Sequence, residues 1–511
     1  MNTPLTKHNK TPSIILTTLN ARYIHSSLGL RYLMANMEEL RPHTQIIEYN
    51  INSRALDIAE DLLSHQPDII GFGVYIWNTE QILQIIKLIK TINPEIIIII
   101  GGPEASYEHD QQEITRLADY VINGTADKAF RETCKTLLSG SRPFNKIIQP
   151  LPFVLDDIKL PYDYYNDEDV ANRIVYVEAS RGCPFKCEFC LSALDKTVYP
   201  FNLDLFLDEM EKLYQRGVRH FKFVDRTFNL KIESSIKIME FFLNKNDEAL
   251  FLHFELIPDH LPEKLKATIE RFPPHSLQFE IGIQSLDPHV QHLISRKQNN
   301  NRTADNIKWL KEHTHAHIHA DLIIGLPGED LSTFARGLNT LVNIDPDEIQ
   351  IGILKRLRGT PIIRHTQKYD LRFNPQPPYN ILSNQDIDFN TMQRLNRFAR
   401  YWDIIINNGR FKNSKDLILG DNPFENFLTL TDWLFKETGQ THKFSLDRLF
   451  RLLYIAMTTI LNIDTKTTED KLLLDFNASG MKGLPKFNIT PRAEAETKQL
   501  QGSQRQQRHI H

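Results

Sequence analysis

Cysteine is scarce in this chain. Four in 511 residues cannot build a disulfide framework, and a reducing compartment, the cytosol, is expected. Long hydrophobic runs are missing too. The longest, residues 96–100 and 452–457, fall far below the ~18–20 apolar residues of a membrane span and read as a buried strand and a buried helix segment. Nor is charge of one sign in excess: 60 Lys+Arg against 64 Asp+Glu leave a net charge of −4, which gives no strong nucleic-acid signal. The first eleven residues hold no apolar stretch of the kind a secretory leader carries. What is present, 41% hydrophobic and 24% charged residues, is ordinary globular composition, and the length suits about three domains of ~150 residues.

From Ser13 to about residue 140, strand and helix signals alternate. Ile14-Ile15-Leu16, Ile46-Ile47, residues 68–74, residues 95–100 and Tyr120-Val121-Ile122 read as strands; residues 26–40, 53–65 and 79–91 read as helices. Near-continuous apolar strands separated by helices predict a parallel sheet covered on both faces, a doubly wound α/β domain over residues 12–140. Ligands meet such a sheet at the carboxyl ends of its strands, so the loops after Leu19, Val74 and Ile100 matter most. A Pro-punctuated stretch, residues 141–172, reads as a linker. Residues 173–383 hold a second series, with strands expected at 174–178, 220–224, 250–256, 277–283, 317–324 and 348–353. Six βα-like units predict a parallel β/α barrel, full or partial. Residues 384–485 are helical in pattern, and residues 486–511, polar and Gln-rich, read as a disordered tail.

Three of the four cysteines fall within eight residues: Cys183-Pro-Phe-Lys-Cys187-Glu-Phe-Cys190. Thiolates so closely spaced, with no disulfide context, suggest a metal centre. Zinc needs a fourth ligand, and no further Cys or His lies close by in sequence, although a distant His would serve. A [4Fe–4S] cluster held by three thiolates leaves one iron open to bind and reduce a substrate or cofactor.

The spacing resembles the signature of the radical S-adenosylmethionine enzymes, C-x-x-x-C-x-aromatic-C. Cys183, Cys187, Phe189 and Cys190 match it position by position, in a loop after the first barrel strand. Later stretches are similar to that family's strand ends: Asp225 in Phe223-Val-Asp-Arg-Thr-Phe228, Glu255 in Phe254-Glu-Leu-Ile-Pro258, Glu280 with Gln284 in Phe279-Glu-Ile-Gly-Ile-Gln-Ser285, Asp321 in Asp321-Leu-Ile-Ile-Gly-Leu-Pro-Gly-Glu329, and Leu357-Arg-Gly-Thr-Pro361. The resemblance spans residues 173–363. It implies a [4Fe–4S] cluster on Cys183, Cys187 and Cys190 whose open iron chelates S-adenosylmethionine. An electron from the cluster then releases methionine and a 5′-deoxyadenosyl radical. It also implies an external electron donor such as flavodoxin or ferredoxin. Phe189 would pack near the adenine, Glu280 and Gln284 would bond the ribose or amino group, and Arg296 would pair with the methionine carboxylate.

A doubly wound domain ahead of such a barrel resembles the cobalamin-binding subclass. Asp68-Ile-Ile-Gly-Phe-Gly-Val74 and Ile100-Gly-Gly-Pro103 match its usual wording, so cobalamin is implied, held at Val74, Tyr75, Ile76, Gly101 and Gly102. Two departures stand out. The loop after the first strand lacks the D-x-H-x-x-G that supplies a cobalt ligand, which leaves His25 as a loop or helix-cap histidine. Gly73 stands where a serine usually contacts the dimethylbenzimidazole tail. Methylthiotransferases carry three further cysteines in this domain; here there is only Cys134, expected on a helix in the core.

His313, His315, His317 and His319 alternate, which on a strand places them on one face; a solvated edge leading into the strand is expected. Trp402, Phe424, Phe427, Trp433 and Phe435 suit a helical core. The expected activity is a cobalamin-dependent radical S-adenosylmethionine methyltransfer or related C–H chemistry. Two alternatives are a radical enzyme whose first domain only recognises a substrate or partner, and a non-catalytic metal-binding module. Polar barrel-mouth residues are compatible with lipid, peptide, tetrapyrrole, RNA or small-metabolite substrates alike.

Overall fold

The computed structural model describes residues 11–151, 154–195, 197–483, 485 and 487; apart from residue 487, the stretch read as a tail lies outside them. The chain forms two compact units that divide between Gln393 and Arg394.

The first unit opens with β1 (Ile14–Asn20), α1 (Leu28–Ala35), β2 (Thr44–Asn50), α2 (Ala55–Ser64), β3 (Ile69–Gly73), α3 (Thr79–Ile92), β4 (Ile97–Gly101), α4 (Glu113–Leu117), β5 (Tyr120–Ile122), α5 (Ala129–Leu138) and β6 (Ile147–Ile148). The strands make one parallel sheet in the order β2-β1-β3-β4-β5-β6. This doubly wound order reverses direction at β1 and β3. Strand alternation sorts the side chains into two apolar layers. Ile15, Leu19, Ile70, Phe72, Ile98 and Ile100 pack with Ile58, Leu62, Ile82 and Ile86 of α2 and α3. Ile14, Leu16, Ile69 and Ile99 pack with Leu30, Met34, Phe130 and Cys134 of α1 and α5. Burial on both faces is why these strands read as unbroken apolar runs. On the α1/α5 face, however, Gly71 and Gly73 of β3 and Gly101 of β4 carry no side chain, and the layer is open there.

The stretch read as a linker holds β6, whose Ile147 and Ile148 pair with Val121 and Ile122; two residues show no periodicity, so nothing local announces them. It also holds α6 (Asp167–Asn172), started by a reciprocal capping box between Asn166 and Asp169. The Asp169 carboxylate meets the buried Arg31 guanidinium of α1 at 2.6 Å.

A second parallel sheet follows: β7 (Val175–Val177), then a hairpin of β8 (Ser180–Gly182) and β9 (Val198–Pro200), then α7 (Leu203–Gln215), β10 (His220–Phe223), α8 (Ile232–Leu243), β11 (Phe251–Leu256), α9 (Glu263–Ile269), β12 (Leu277–Gln284), α10 (Pro288–Leu293), α11 (Asn300–His313), β13 (His317–Ile324), α12 (Leu331–Ile344) and β14 (Glu348–Ile353). The order β14-β13-β12-β11-β10-β7 makes this a partial barrel with β7 and β14 as edges. Its strands alternate cleanly. Val175, Val177, Phe221, Phe223, Phe254, Phe279, Ile281, Ile318 and Ala320 are buried. The opposite face carries rows in register: Tyr176, Lys222 and His253; then Glu255, Glu280, His319 and Glu348; then Gly282, Asp321 and Gln350. That face is polar.

The histidine series is corrected by this arrangement. His313 ends α11 and stacks on Trp309, and β13 begins only at His317. His317 and His319 lie on a central strand between β12 and β14 rather than on a solvated edge, facing Glu348 at 3.2 and 3.9 Å.

Loops at the carboxyl end of the first sheet tie down both edges of the second. The Ile174 N–H donates to the Ile24 carbonyl, and the Ser26 hydroxyl donates to the Ile174 carbonyl, each at 2.8 Å. Beyond β14, Arg358 Nε meets Glu104 at 2.8 Å and Arg356 Nη2 meets Glu108 at 2.8 Å, both in the loop after β4.

The second unit is helical, with the end of Phe389–Trp402, then Lys415–Leu419, Pro423–Thr438, Leu446–Ile455 and Thr465–Ala478. Trp402, Phe424 and Phe427 are fully buried, and Phe398 meets Phe427 edge-on at 5.0 Å. Three of the five expected aromatics thus form a core, whereas Trp433 and Phe435 are half-buried at its margin. Among the described residues no helix is long and apolar enough to cross a membrane.

Candidate active site

The cysteine loop leaves the mouth of the second sheet inside the β8–β9 hairpin. Gly182 sits at φ +91°, and a Cβ there would lie 2.0 Å from the Thr197 carbonyl oxygen, so only glycine lets the two arms close. Cys183, Cys187 and Cys190 are all free thiols. They line a cavity of about 240 Å³ together with Phe189, Glu255, Glu280, Gln284, Arg296 and Asp321, bringing six of the seven expected barrel residues to one place. Among the described residues no three His, Cys, Asp or Glu side chains converge as ligands of one metal ion. Zinc would need its donors about 2.0–2.3 Å from a single centre. Among the described residues the cavity's lining offers three thiols with no histidine and no fourth cysteine, a donor set that suits a cubane in which each thiolate binds its own iron.

Asp225 is the residue that does not line this cavity. Its carboxylate accepts from the Ala179 N–H at 2.9 Å and the Ser180 hydroxyl at 2.6 Å, and burial pushes it up to about 7. It holds the backbone that leads into Cys183.

The cavity's own carboxyls are set to opposite states. A hydrogen bond to His253 at 3.0 Å, with Lys222 at 3.8 Å, holds Glu280 down to about 2. Burial, reinforced by Glu280 and Glu255, pushes Asp321 up to about 8. At neutral pH Glu280 only accepts, whereas Asp321 carries an O–H donor. Arg296 Nη1 lies 3.6 Å from Cys187 Sγ and its Nη2 donates to the Gly282 carbonyl. Gln284 ends β12 at φ +71°, where the register slips by one residue; a non-glycine backbone there costs about 1–3 kcal/mol, and strain of this kind collects at functional sites.

Two residues here were missed from sequence. Arg226 lines the cavity and pairs with Glu255 at 2.7 Å; the motif drew attention to its neighbour Asp225. Glu188, 2% exposed, lies between two cluster thiols. It accepts from the Ser295 hydroxyl at 2.6 Å and from Arg364, and lies 2.8 Å from His365 Nε2. An acid inside a thiolate motif was the available signal.

A second cavity, about 270 Å³, opens on the first sheet where the glycines leave its α1/α5 layer unfilled. Gly71, Gly73, Gly101, Gly102, Tyr75, Tyr32, Phe130, Asp127 and Arg181 line it. At Gly71 a Cβ would strike the Phe130 ring at 2.6 Å, which marks the cavity's floor; at Gly101 it would project at ordinary contact distance, 3.6 Å from the Ile122 carbonyl. Gly102, at φ +103°, is required for a different reason, because its Cβ would lie 2.6 Å from the Val74 carbonyl oxygen. Of the expected residues, Tyr75, Gly101 and Gly102 line the cavity. Val74 is fully buried in the sheet core, and Ile76 stands outside the lining. Tyr75 stacks on Trp77 at 4.6 Å. A glycine-floored, mostly apolar slot suits a flat aromatic nucleotide tail.

His25 is engaged elsewhere. Its Nδ1 lies 2.7 Å from the Tyr176 hydroxyl of β7. Cys134 is fully buried on α5 against Phe130 and Leu137, and burial raises its thiol.

Comparison with known proteins matches a B12-binding domain over residues 14–133, the radical SAM superfamily over residues 177–341, and a protein family of unknown function (DUF4080) over residues 367–511. An "uncharacterized methyltransferase PH0819" of Pyrococcus horikoshii is 25% identical over 362 residues, covering 65% of this chain and 76% of that protein. The cobalamin-dependent radical SAM methyltransferase TokK of Streptomyces tokunonensis is 24% identical over 367 residues, 61% of this chain and 51% of that one. Among solved structures, the cobalamin-dependent S-adenosylmethionine radical enzyme OxsB with aqua-cobalamin bound superposes with a TM-score of 0.64, at 13% identity, over 93% of this chain and 82% of that one. The likeness at that identity is one of fold.

Proposed function

We infer, from a chain that joins a B12-binding domain to a radical S-adenosylmethionine domain, an enzyme that methylates an unreactive carbon, or carries out related C–H chemistry. The observation that carries this reading is the pair of cavities in one compact unit. One is floored by glycines and suits a nucleotide tail; the other is lined by three thiols with a charged rim. When bound, the [4Fe–4S] cluster supplies the electron that splits S-adenosylmethionine to a carbon-centred radical, and cobalamin supplies the methyl group.

The chain's own residues do the rest. Cys183, Cys187 and Cys190 would hold the cluster, with Arg296 beside Cys187. In the same cavity Arg296 is placed to pair with a methionine carboxylate, ionised Glu280 and the Gln284 amide to accept from the ribose or amino group, and Phe189 to pack on adenine. Tyr75, Gly73 and Gly101 would bound the cobalamin. Edges tied by Ile24–Ser26 and by Arg356 and Arg358 hold the two domains together, which would fix groups bound in the two cavities relative to one another. A one-electron donor of the flavodoxin or ferredoxin kind, and the reducing cytosol that keeps the four thiols free, complete the proposal.

The test is anaerobic reconstitution with iron, sulfide and hydroxocobalamin, followed by S-adenosylmethionine and a reductant. Release of 5′-deoxyadenosine reports radical cleavage, and S-adenosylhomocysteine reports methyl donation. Cys183→Ala, Cys187→Ala or Cys190→Ala should remove 5′-deoxyadenosine formation and the thiolate–iron absorption, while Cys134→Ala retains both. A Cys187→Ala protein that still cleaves S-adenosylmethionine would refute the site. A wild type that releases 5′-deoxyadenosine but never binds cobalamin would favour a first domain that only recognises substrate or partner.

A further inference from the structure

Arg181 belongs to two places at once. It lies on β8, two residues before Cys183, yet its side chain forms a wall of the glycine-floored cavity in the first domain. There its Nη1 and Nη2 meet the two Asp127 oxygens at 3.0 and 3.1 Å. Its Nε donates to Glu178 at 2.7 Å, and the guanidinium covers the Tyr32 ring at 4.3 Å. A two-pronged carboxylate from one domain, a carboxylate from the other and an aromatic face leave a planar cation one orientation. Asp127 and Tyr32 line the cavity as well.

The backbone that carries Arg181 has no slack. β8 is zipped to β9 across the cysteine loop, Gly182 is packed on the Thr197 carbonyl, and Asp225 pins Ala179 and Ser180. The side chain is thus clamped at its head and the strand pinned at its base, so the placement of the guanidinium and that of β8 bear on one another.

We propose that Arg181 is a positioning residue that links the nucleotide-tail cavity to the cluster loop, so that a seated tail and an assembled cluster each favour the same placement of β8. The proposal rests on the cobalamin reading above and adds a coupling to it. Coupling of this kind is reciprocal. A cluster already in place fixes the Arg181–Asp127 wall and lowers the cost of ordering it around the tail, so cobalamin should bind more tightly to cluster-loaded than to cluster-free protein. A corrinoid without the tail does not reach that wall and should bind both forms alike.

The experiment titrates hydroxocobalamin and dicyanocobinamide, which lacks the nucleotide tail, into the full chain under anaerobic conditions, with and without reconstituted cluster. We expect hydroxocobalamin to favour the loaded form by at least about fivefold, the lower end of common coupling strengths, and cobinamide to differ by under about twofold. Asp127→Asn breaks the fork from the first-domain side and leaves the cluster loop's own bonds in place. It should bring the hydroxocobalamin ratio under about twofold with wild-type iron content, and Arg181→Lys should fall between. Equal hydroxocobalamin affinities would overturn the proposal, as would an equal preference shown by cobinamide, or an undiminished ratio in a folded Asp127→Asn protein. If the variants fail to fold, the two wild-type titrations still decide. Binding of neither corrinoid would bring down the cobalamin reading and this inference together, whereas binding without preference removes the inference alone.

Discussion

Gly101, the last residue of β4, and Gly102 are neighbours and lining residues of one cavity, but alanine at each should do different things. At Gly102 the backbone is at φ +103°, and the new Cβ would stand 2.6 Å from the Val74 carbonyl oxygen. That oxygen accepts from the Glu104 N–H, and the Val74 N–H donates to the Gly101 carbonyl at 2.8 Å, so the carbonyl cannot retreat without stretching the turn. The left-handed backbone alone costs about 1–2 kcal/mol for a residue with a Cβ. Bond-angle opening to relieve the clash adds about 1–2 kcal/mol. The total, about 2–4 kcal/mol, should lower the melting temperature of the cofactor-free protein by about 2–5 °C, given ~2.1 cal/mol/K of unfolding entropy per residue in a unit of nearly 400 residues. At Gly101 the Cβ meets only the Ile122 carbonyl at 3.6 Å, so Gly101→Ala should melt within about 1 °C of wild type. The methyl projects into the cavity floor, however, and should weaken hydroxocobalamin binding about tenfold, or ~1.4 kcal/mol. Thermal melts of the cofactor-free variants and titration of each folded protein decide. A Gly102→Ala protein as stable as wild type, or a Gly101→Ala protein that binds normally, would refute the reasoning.

Three other outcomes are expected. Glu188→Ala leaves His365 and Ser295 without their shared acceptor in a buried place, so it should cost about 2–3 kcal/mol; because those bonds fix the cysteine loop between Cys187 and Cys190, iron content after reconstitution should fall below half of wild type, and full content would show that they do not. His25→Ala should leave the paramagnetic spectrum of bound cob(II)alamin unchanged, because His25 lies outside the lining of the glycine-floored cavity and faces Tyr176 of β7; a nitrogen-split signal lost in the variant would make His25 the cobalt ligand. Glu329, bonded to Ser285 at 2.5 Å, is pushed by burial from 4.5 up to about 8. The folded chain therefore binds the extra proton between those values, and the stability this contributes is present below about pH 4.5 and lost as pH rises through about 8. Glu329→Gln should flatten that decline, gaining up to about 4 kcal/mol at pH 8 by ~1.36 kcal/mol per unit, as read from denaturant midpoints at pH 6 and pH 8.5.

Strands with long apolar runs were legible because two buried faces leave no polar gaps. β5 starts and stops where the sequence places it; β13 and β14 do so too, for a different reason, since their polar and apolar residues alternate between a buried and a polar face. The three thiolates were legible because their chemistry and spacing are local. What escaped depends on partners far along the chain. β6 is two residues that become a strand only beside Val121 and Ile122. The β8–β9 hairpin joins segments separated by the cysteine loop itself. Asp225 was expected among the cofactor groups; its backbone and hydroxyl partners at Ala179 and Ser180, 46 and 45 residues away, turn it into a loop anchor. The two glycines after Ile100 looked alike in sequence, and only the nearness of the Val74 carbonyl separates one that makes room for a ligand from one that makes the turn possible.

The short contact between Ile24–Ser26 and Ile174 has a bearing on how the chain emerges from the ribosome. An unpaired edge of a slow-forming parallel sheet invites pairing with other chains. Here the segment that covers that edge lies about 150 residues upstream, made roughly 8–30 s earlier at 5–20 residues per second. By the time Ile174, at the head of β7, is released, the first sheet has had time to form and present the Ile24 and Ser26 groups that Ile174 will use, while β10, the partner of β7 on the other side, is still to come. The guard is in place before the exposed strand exists, so removing or unfolding the first domain should leave nascent second domains prone to mutual association even though every residue of their own sheet is intact.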